Sequence, residues 1–255
     1  MSLLEVKDIT VRFGGIVALN DLSFDLDEGQ ITALIGPNGA GKTTLFNVVS
    51  RIYEPTEGSI TYDGQDLLAM PAHRICRVGI YRTFQNLALW PTMTVLENVM
   101  VGAFTSTKTS FPQAALRILG ARSEEKATKR RAYEVLEELD LADVAFHPAT
   151  GLPFGTLKRI EIARAMIGKP RLLMLDEPAS GLTHSEVDEL SAAIRGLRDR
   201  HNLSVLLVEH HMKMVMAISE QIVVLNFGQK IAEGTPAEVQ KNEAVIEAYL
   251  GADAS

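Results

Sequence analysis

Gly36, Pro37, Asn38, Gly39, Ala40, Gly41, Lys42, Thr43 and Thr44 fit the pattern G-x-x-x-x-G-K-[ST]. The apolar run Ile31, Thr32, Ala33, Leu34, Ile35 enters it, and helix-compatible sequence leaves it. In that setting the glycines let backbone N–H groups curl around phosphates, and the positive end of the following helix adds to the pull. Lys42 is placed to reach the β- and γ-phosphates, and the Thr43 hydroxyl to ligate Mg²⁺. The competing reading is a Gly-rich turn with an accidental Lys, which the strand before it and the helix after it disfavour.

A second cluster completes this chemistry. Arg171 is followed by Leu172, Leu173, Met174, Leu175 and then the acids Asp176 and Glu177. An apolar strand ending in carboxylates presents them at its C-terminal tip, where open α/β sheets bind ligands. Asp176 suits a role in the Mg²⁺ shell. Glu177, facing the other way, can orient and deprotonate an attacking water. The bland alternative for either acid is a helix cap before Pro178.

Both motifs occur in many nucleotide hydrolases, and later segments narrow the choice. Phe84 and Gln85 follow a short strand over 79–83. Leu152, Pro153, Phe154, Gly155 and Thr156 precede Lys158, Arg159, Ile160, Glu161, Ile162, Ala163 and Arg164. Val208, Glu209 and His210 close a late strand. In this order they resemble the glutamine loop, signature and switch histidine of ABC ATPases, over essentially the whole chain. Phe13-Gly14-Gly15, Arg82 to Asn86 and the stretch 226–234 look more particularly like the ATPase subunits of branched-chain amino-acid importers.

The resemblance implies a P-loop NTPase fold of the α/β class. It has a RecA-like parallel-sheet core, an N-terminal antiparallel β part and an inserted α-helical subdomain. The implied division is a core of 1–85 and 156–255 around a helical subdomain at 86–155, all within one domain of 1–255. It also implies that Phe13 stacks on adenine, Gln85 touches Mg²⁺ or the attacking water, and His210 bonds the γ-phosphate. Phe154, Gly155 and Thr156 would meet ATP held by a second cassette. From residue type alone, Phe13 remains open to a core role, Gln85 to an ordinary polar loop, and His210 to a helix cap. Implied ligands and partners are ATP with Mg²⁺, a second ABC ATPase subunit (identical or not), permease subunits, and indirectly an extracytoplasmic solute-binding protein. The implied activity is ATP hydrolysis coupled to transport; a lipid or lipopolysaccharide exporter ATPase and a non-transport ABC protein are the alternatives.

This chain departs from the family pattern at three places. The usual signature is Leu-Ser-Gly-Gly-Gln, whereas Pro153 here removes a hydroxyl and an N–H, and Thr156 replaces Gln. The loop Ser180, Gly181, Leu182, Thr183 lacks the expected Asp. His211 stands where an acid is usual. Its neighbours His210, Met212, Met214 and Met216 invite a soft-metal reading, but methionines two apart on a helix point different ways. The altered signature predicts a weakened composite ATP site across the dimer.

Elements that must position these residues can be read from periodicity. Alternation at Leu4 and Val6, then at Leu22, Phe24 and Leu26, predicts antiparallel strands with one buried face. Asp63-Gly64 predicts a turn after a strand through Ile60 and Tyr62. Helices are predicted over 95–103, 114–119 and 123–139, the last capped by Ser123, and two short ones over 236–250. Buried strands are predicted over 171–175, 205–208 and 222–225; strands alternating with helices imply a parallel sheet.

At 255 residues, with 46% hydrophobic content and a net charge of −7, the chain can bury a full core and lacks a basic footprint for nucleic acid. No apolar run approaches the ~18–20 residues that span a bilayer, and the start at Met1 lacks the basic, long-apolar pattern of a signal peptide. The expectation is a cytoplasmic chain held at the membrane by a partner. The single cysteine, Cys76, permits no internal disulfide and reads as a packing thiol.

Overall fold

In the computed structural model, residues 2–83, 87–103 and 119–252 are described. The N-terminal alternation forms β1 (Ser2–Phe13) and β2 (Ile16–Asp27), paired antiparallel with Leu4 opposite Leu26 and Val6 opposite Phe24. Next come β3 (Ile31–Ile35) and α1 (Lys42–Val49). β4 (Glu57–Tyr62) turns at Asp63-Gly64 into β5 (Gln65–Asp66), giving a four-stranded sheet in the order β2-β1-β4-β5. β6 (Ile80–Arg82) follows.

The helical stretch contains α2 (Val95–Val101) and α3 (Leu119–Glu138). Thr94 caps α2 in a reciprocal box with Glu97. Ser123 is not a cap: α3 begins upstream, because Ala121 and Arg122 favour helix and let the winding start before the first periodic acids. The predicted helix at 114–119 lies outside the described residues except for Leu119, which opens α3.

Then follow α4 (Phe154–Met166), β7 (Leu172–Asp176), α5 (His184–His201), β8 (Ser204–Val208), α6 (Met212–Ile218) and β9 (Gln221–Asn226). β10 (Gln229–Gly234), α7 (Pro236–Val239) and α8 (Glu243–Ala252) close the described chain.

The second sheet runs β10-β9-β3-β8-β7-β6, parallel throughout except for β10. β3, β7 and β8 are buried at every position, which is why each reads as a largely apolar run, with one polar residue apiece in Thr32, Asp176 and Ser204. Side-chain alternation splits β7 between two cores. Leu173 and Leu175 pack with the helices on one face, while Leu172 and Met174 pack with α1 and the antiparallel sheet on the other. Among the described residues no helix is long and apolar enough to cross a membrane. Cys76 is half-buried against the core, and burial pushes its thiol pKa up, as suits packing rather than reactivity.

Candidate functional site

Because β3, β7 and β8 are parallel neighbours, their C-terminal ends bring the phosphate loop, Asp176 with Glu177, and Glu209 with His210 to one edge of the sheet. β3 runs out at Ile35, and the loop 36–41 turns into α1 at Lys42. Two glycines have no substitute there. A Cβ on Gly36 would collide with the Leu225 carbonyl, and one on Gly41, at φ 102°, would lie 2.6 Å from the Ala18 carbonyl. Asn38 and Gly39 are exposed at the loop's crest, while Ala40 is buried and its carbonyl accepts from Gly228 N at 3.0 Å. Pro37 lies below the crest, its carbonyl accepting from Ala40 N at 3.2 Å.

Lys42 is folded into this loop. Its Nζ donates to the Gly36 carbonyl at 2.6 Å and the Pro37 carbonyl at 2.9 Å. Burial pushes its pKa down, and the nearby Glu177 and Asp176 charges oppose that shift. Thr43 is exposed on the first turn of α1 and Thr44 half-buried beside it. A hydroxyl and a carboxylate are the hard oxygen donors that Mg²⁺ takes, so Thr43 and Asp176 fit that ion in chemistry.

Asp176 is the last residue of β7 and is held by Arg82, whose Nη2 lies 2.7 Å from Oδ2 in a buried pair. Glu177 breaks from the strand at φ 48°, its N donating to the Val208 carbonyl at 2.9 Å. That turn sends its side chain towards His210, whose Nδ1 is 3.8 Å from Glu177 Oε2. The structure thus brings Lys42, Asp176, Glu177 and His210 together. Gln85, with Phe84 and Asn86, lies outside the described residues.

Phe13 ends β1 and is 45% exposed, with its ring 5.2 Å from that of Tyr53 in an edge contact. It is not core, so the alternative read from residue type alone falls away. Ile16 and Val17 beside it are exposed as well. His211 stacks edge-on to His184 at 5.9 Å.

The signature segment starts α4. Pro153 is its N-cap and supplies no side-chain bond, Phe154 is 42% exposed, Gly155 is buried and Thr156 half-buried. Gly155 is tight: a Cβ there would lie 2.7 Å from Glu186 Oε1. The helix therefore starts one residue before Gly155, with Pro153 fixing φ where a capping hydroxyl would otherwise sit.

Three positions with evident work were not assigned roles from sequence. Arg82 grips Asp176. Glu209, 0% exposed, accepts from Ala179 N at 2.6 Å, His210 N at 2.9 Å and His211 N at 3.0 Å. Glu161, buried on α4, accepts from Ala88 N at 3.3 Å, while Arg164 donates to the Ala88 carbonyl. That last pair clamps the segment around Ala88 to α4. Trp90 in this segment is 46% exposed, and Arg164 lies 5.9 Å over its ring. The signal available for Glu209 was an acid placed directly after the apolar run 205–208; for Glu161, an acid among the apolar residues of a buried helix.

The chain matches the family model described as ABC transporter over residues 19–180, and that described as branched-chain amino acid ATP-binding cassette transporter over 229–255. It is 45% identical to the high-affinity branched-chain amino acid transport ATP-binding protein BraF of Pseudomonas aeruginosa, across 98% of both chains. Against the lipopolysaccharide export system ATP-binding protein LptB of Escherichia coli the identity is 32%, across 99% of both. A crystal structure of an ATP-binding cassette of an ABC transporter in its ADP conformation superposes with a TM-score of 0.86 at 29% identity, covering 98% of this chain and 99% of that one.

Proposed function

Because the chain belongs to the ABC transporter family, we propose that it is the ATP-hydrolysing subunit powering an importer of branched-chain amino acids or related small solutes. The observation that carries the cargo is the full-length 45% identity to BraF together with the match of 229–255 to the branched-chain cassette model. The exporter reading has 32% identity behind it.

Two cassettes close head-to-tail on ATP, each phosphate loop facing the other's signature helix. The N–H groups of the loop 36–43 and the Lys42 ammonium take the β- and γ-phosphates, and Phe13 takes the adenine. Thr43 and Asp176 hold Mg²⁺, which neutralises phosphate charge when bound. Glu177 receives a proton from the water that attacks the γ-phosphorus, the bond to the β-bridging oxygen breaks, and His210 bonds the transferring group's oxygens. Gln85 reports that state to the permease. Residues 1–85 and 156–255 form the core, and 86–155 the helical subdomain that meets the permease at the cytoplasmic face, beneath a solute-binding protein outside.

Cells carrying Lys42→Ala in place of the natural chain should lose uptake of labelled leucine, isoleucine and valine. Undiminished uptake would remove the cargo assignment, and an accumulation of undelivered lipid in its place would favour the exporter. Restoring Pro153→Ser with Thr156→Gln adds a hydroxyl and an amide where the partner's γ-phosphate arrives. Hydrolysis by the chain alone is expected to rise about tenfold or more, roughly the worth of one charge-assisted hydrogen bond. Equal rates would show that the altered signature limits nothing.

A further inference from the structure

Arg82 lies at the junction of three elements. β6 pairs with β7 so that Arg82 stands opposite Met174, and side-chain alternation places Met174 and Asp176 on the same face of β7. From there Arg82 Nη2 reaches Asp176 Oδ2 at 2.7 Å. Its Nη1 donates to Asn47 Oδ1 at 2.8 Å and Ser50 Oγ at 3.3 Å, at the far end of the helix that begins at Lys42. Its guanidinium carbon lies 5.2 Å from the Phe46 ring centroid. Thr83, next on the chain, accepts from Asp176 N at 3.5 Å.

The two side chains are 8% and 6% exposed. Burying such a pair costs most of the attraction it returns, and an apolar pair of similar volume is often at least as stable. Stability is therefore a poor reason for it. What a guanidinium adds is a planar fork with separate nitrogens for separate partners, which fixes direction; a lysine ammonium is a point charge that cannot span α1 and β7 in this way.

We propose that Arg82 is a positioning residue for the metal: it locks the Asp176 carboxylate through Oδ2 and ties it to the phosphate-loop helix, so that the acid and Thr43 keep a fixed relation. The same residue roots the strand that leads to Gln85, three positions on. The proposal rests on the reading of Asp176 as the Mg²⁺-facing acid.

The test measures the affinity of a fluorescent ATP analogue in excess Mg²⁺ and in EDTA, together with the melting temperature. Residues that orient a metal's ligands are typically worth about 10–100-fold in metal affinity. Arg82→Met should cut the Mg²⁺-dependent tightening by roughly tenfold or more while binding in EDTA stays unchanged. Arg82→Lys, which keeps the charge and loses the fork, should recover only part of it, and it serves alone if Arg82→Met does not fold. In an Asp176→Asn background, Arg82→Met should add no further loss. An unchanged Mg²⁺ effect in the Arg82 variants, or an additive loss in the double variant, overturns the proposal. If Asp176→Asn itself leaves the Mg²⁺ effect intact, the reading of Asp176 fails instead.

Discussion

Glu177→Gln is expected to bind Mg²⁺–ATP as the parent does and to hydrolyse it at least about a hundredfold more slowly, the usual worth of a positioned general base. The geometry favours a clean result. The backbone of Glu177 is set by its own bonds, N to the Val208 carbonyl at 2.9 Å and carbonyl from Ser180 N at 3.2 Å, so an isosteric side chain leaves the turn in place. Its φ of 48° is sparsely populated for a residue with a side chain, and such a conformation persists only where the surroundings enforce it. Here it swings the carboxylate off the strand and towards His210. The amide keeps the shape and loses the base. The measurements are the steady-state hydrolysis rate and the solution mass with and without Mg²⁺–ATP. An ATP-dependent dimer would show that Gly155 and Thr156 still close a site without the usual glutamine. A nucleotide-bound monomer would mean that a second, different cassette supplies the better signature. Hydrolysis at the parent rate would remove Glu177 from the mechanism.

The parts of this site that were legible in sequence are those set by neighbours in the chain. The phosphate loop, the acids after an apolar strand and the histidine closing another each combine a residue type with the local element that carries it. Contacts made across the fold leave no such trace. Arg82 meets Asp176 over a separation of 94 residues, Glu161 meets Ala88 over 73, and Glu209 meets Ala179 over 30. In each case a side chain of unremarkable type answers a group brought near by sheet order or helix packing. Elements failed for related reasons. β10 has no buried position, so its polar residues carry no alternation to read. The acids that suggest a cap at Ser123 do lie on α3, but inside it. Phe13 could not be placed from type alone, because an aromatic residue at a strand end serves a core or a base equally well.

Glu209 provides the second large effect, because of what its two oxygens meet. Oε1 accepts from Ala179 N, in the loop after Glu177, and Oε2 accepts from both His210 N and His211 N. One buried carboxylate thus joins the loop bearing Glu177 to the loop bearing His210. A carboxylate only accepts, whereas glutamine must turn its NH₂ towards one side or the other. Whichever way the amide faces, a donor meets a backbone donor, and one or two buried N–H groups lose their partner. Glu209→Gln is therefore expected to cost about 1.5–3 kcal/mol, the worth of a hydrogen bond to a charged group, and to lower the melting point by roughly 3–12 °C. The damage should fall on turnover and spare binding: kcat down about tenfold as His210 and Glu177 lose their relation, with KM for ATP unchanged, since among the described residues the partners of Glu209 are Ala179, His210 and His211 and none is in the phosphate loop. Thermal melting and steady-state kinetics at saturating Mg²⁺ separate the two consequences. A normal melting point would show that the amide is accommodated and the bridge dispensable. A lowered melting point with unchanged kcat would leave Glu209 as a structural tie with no part in aligning His210.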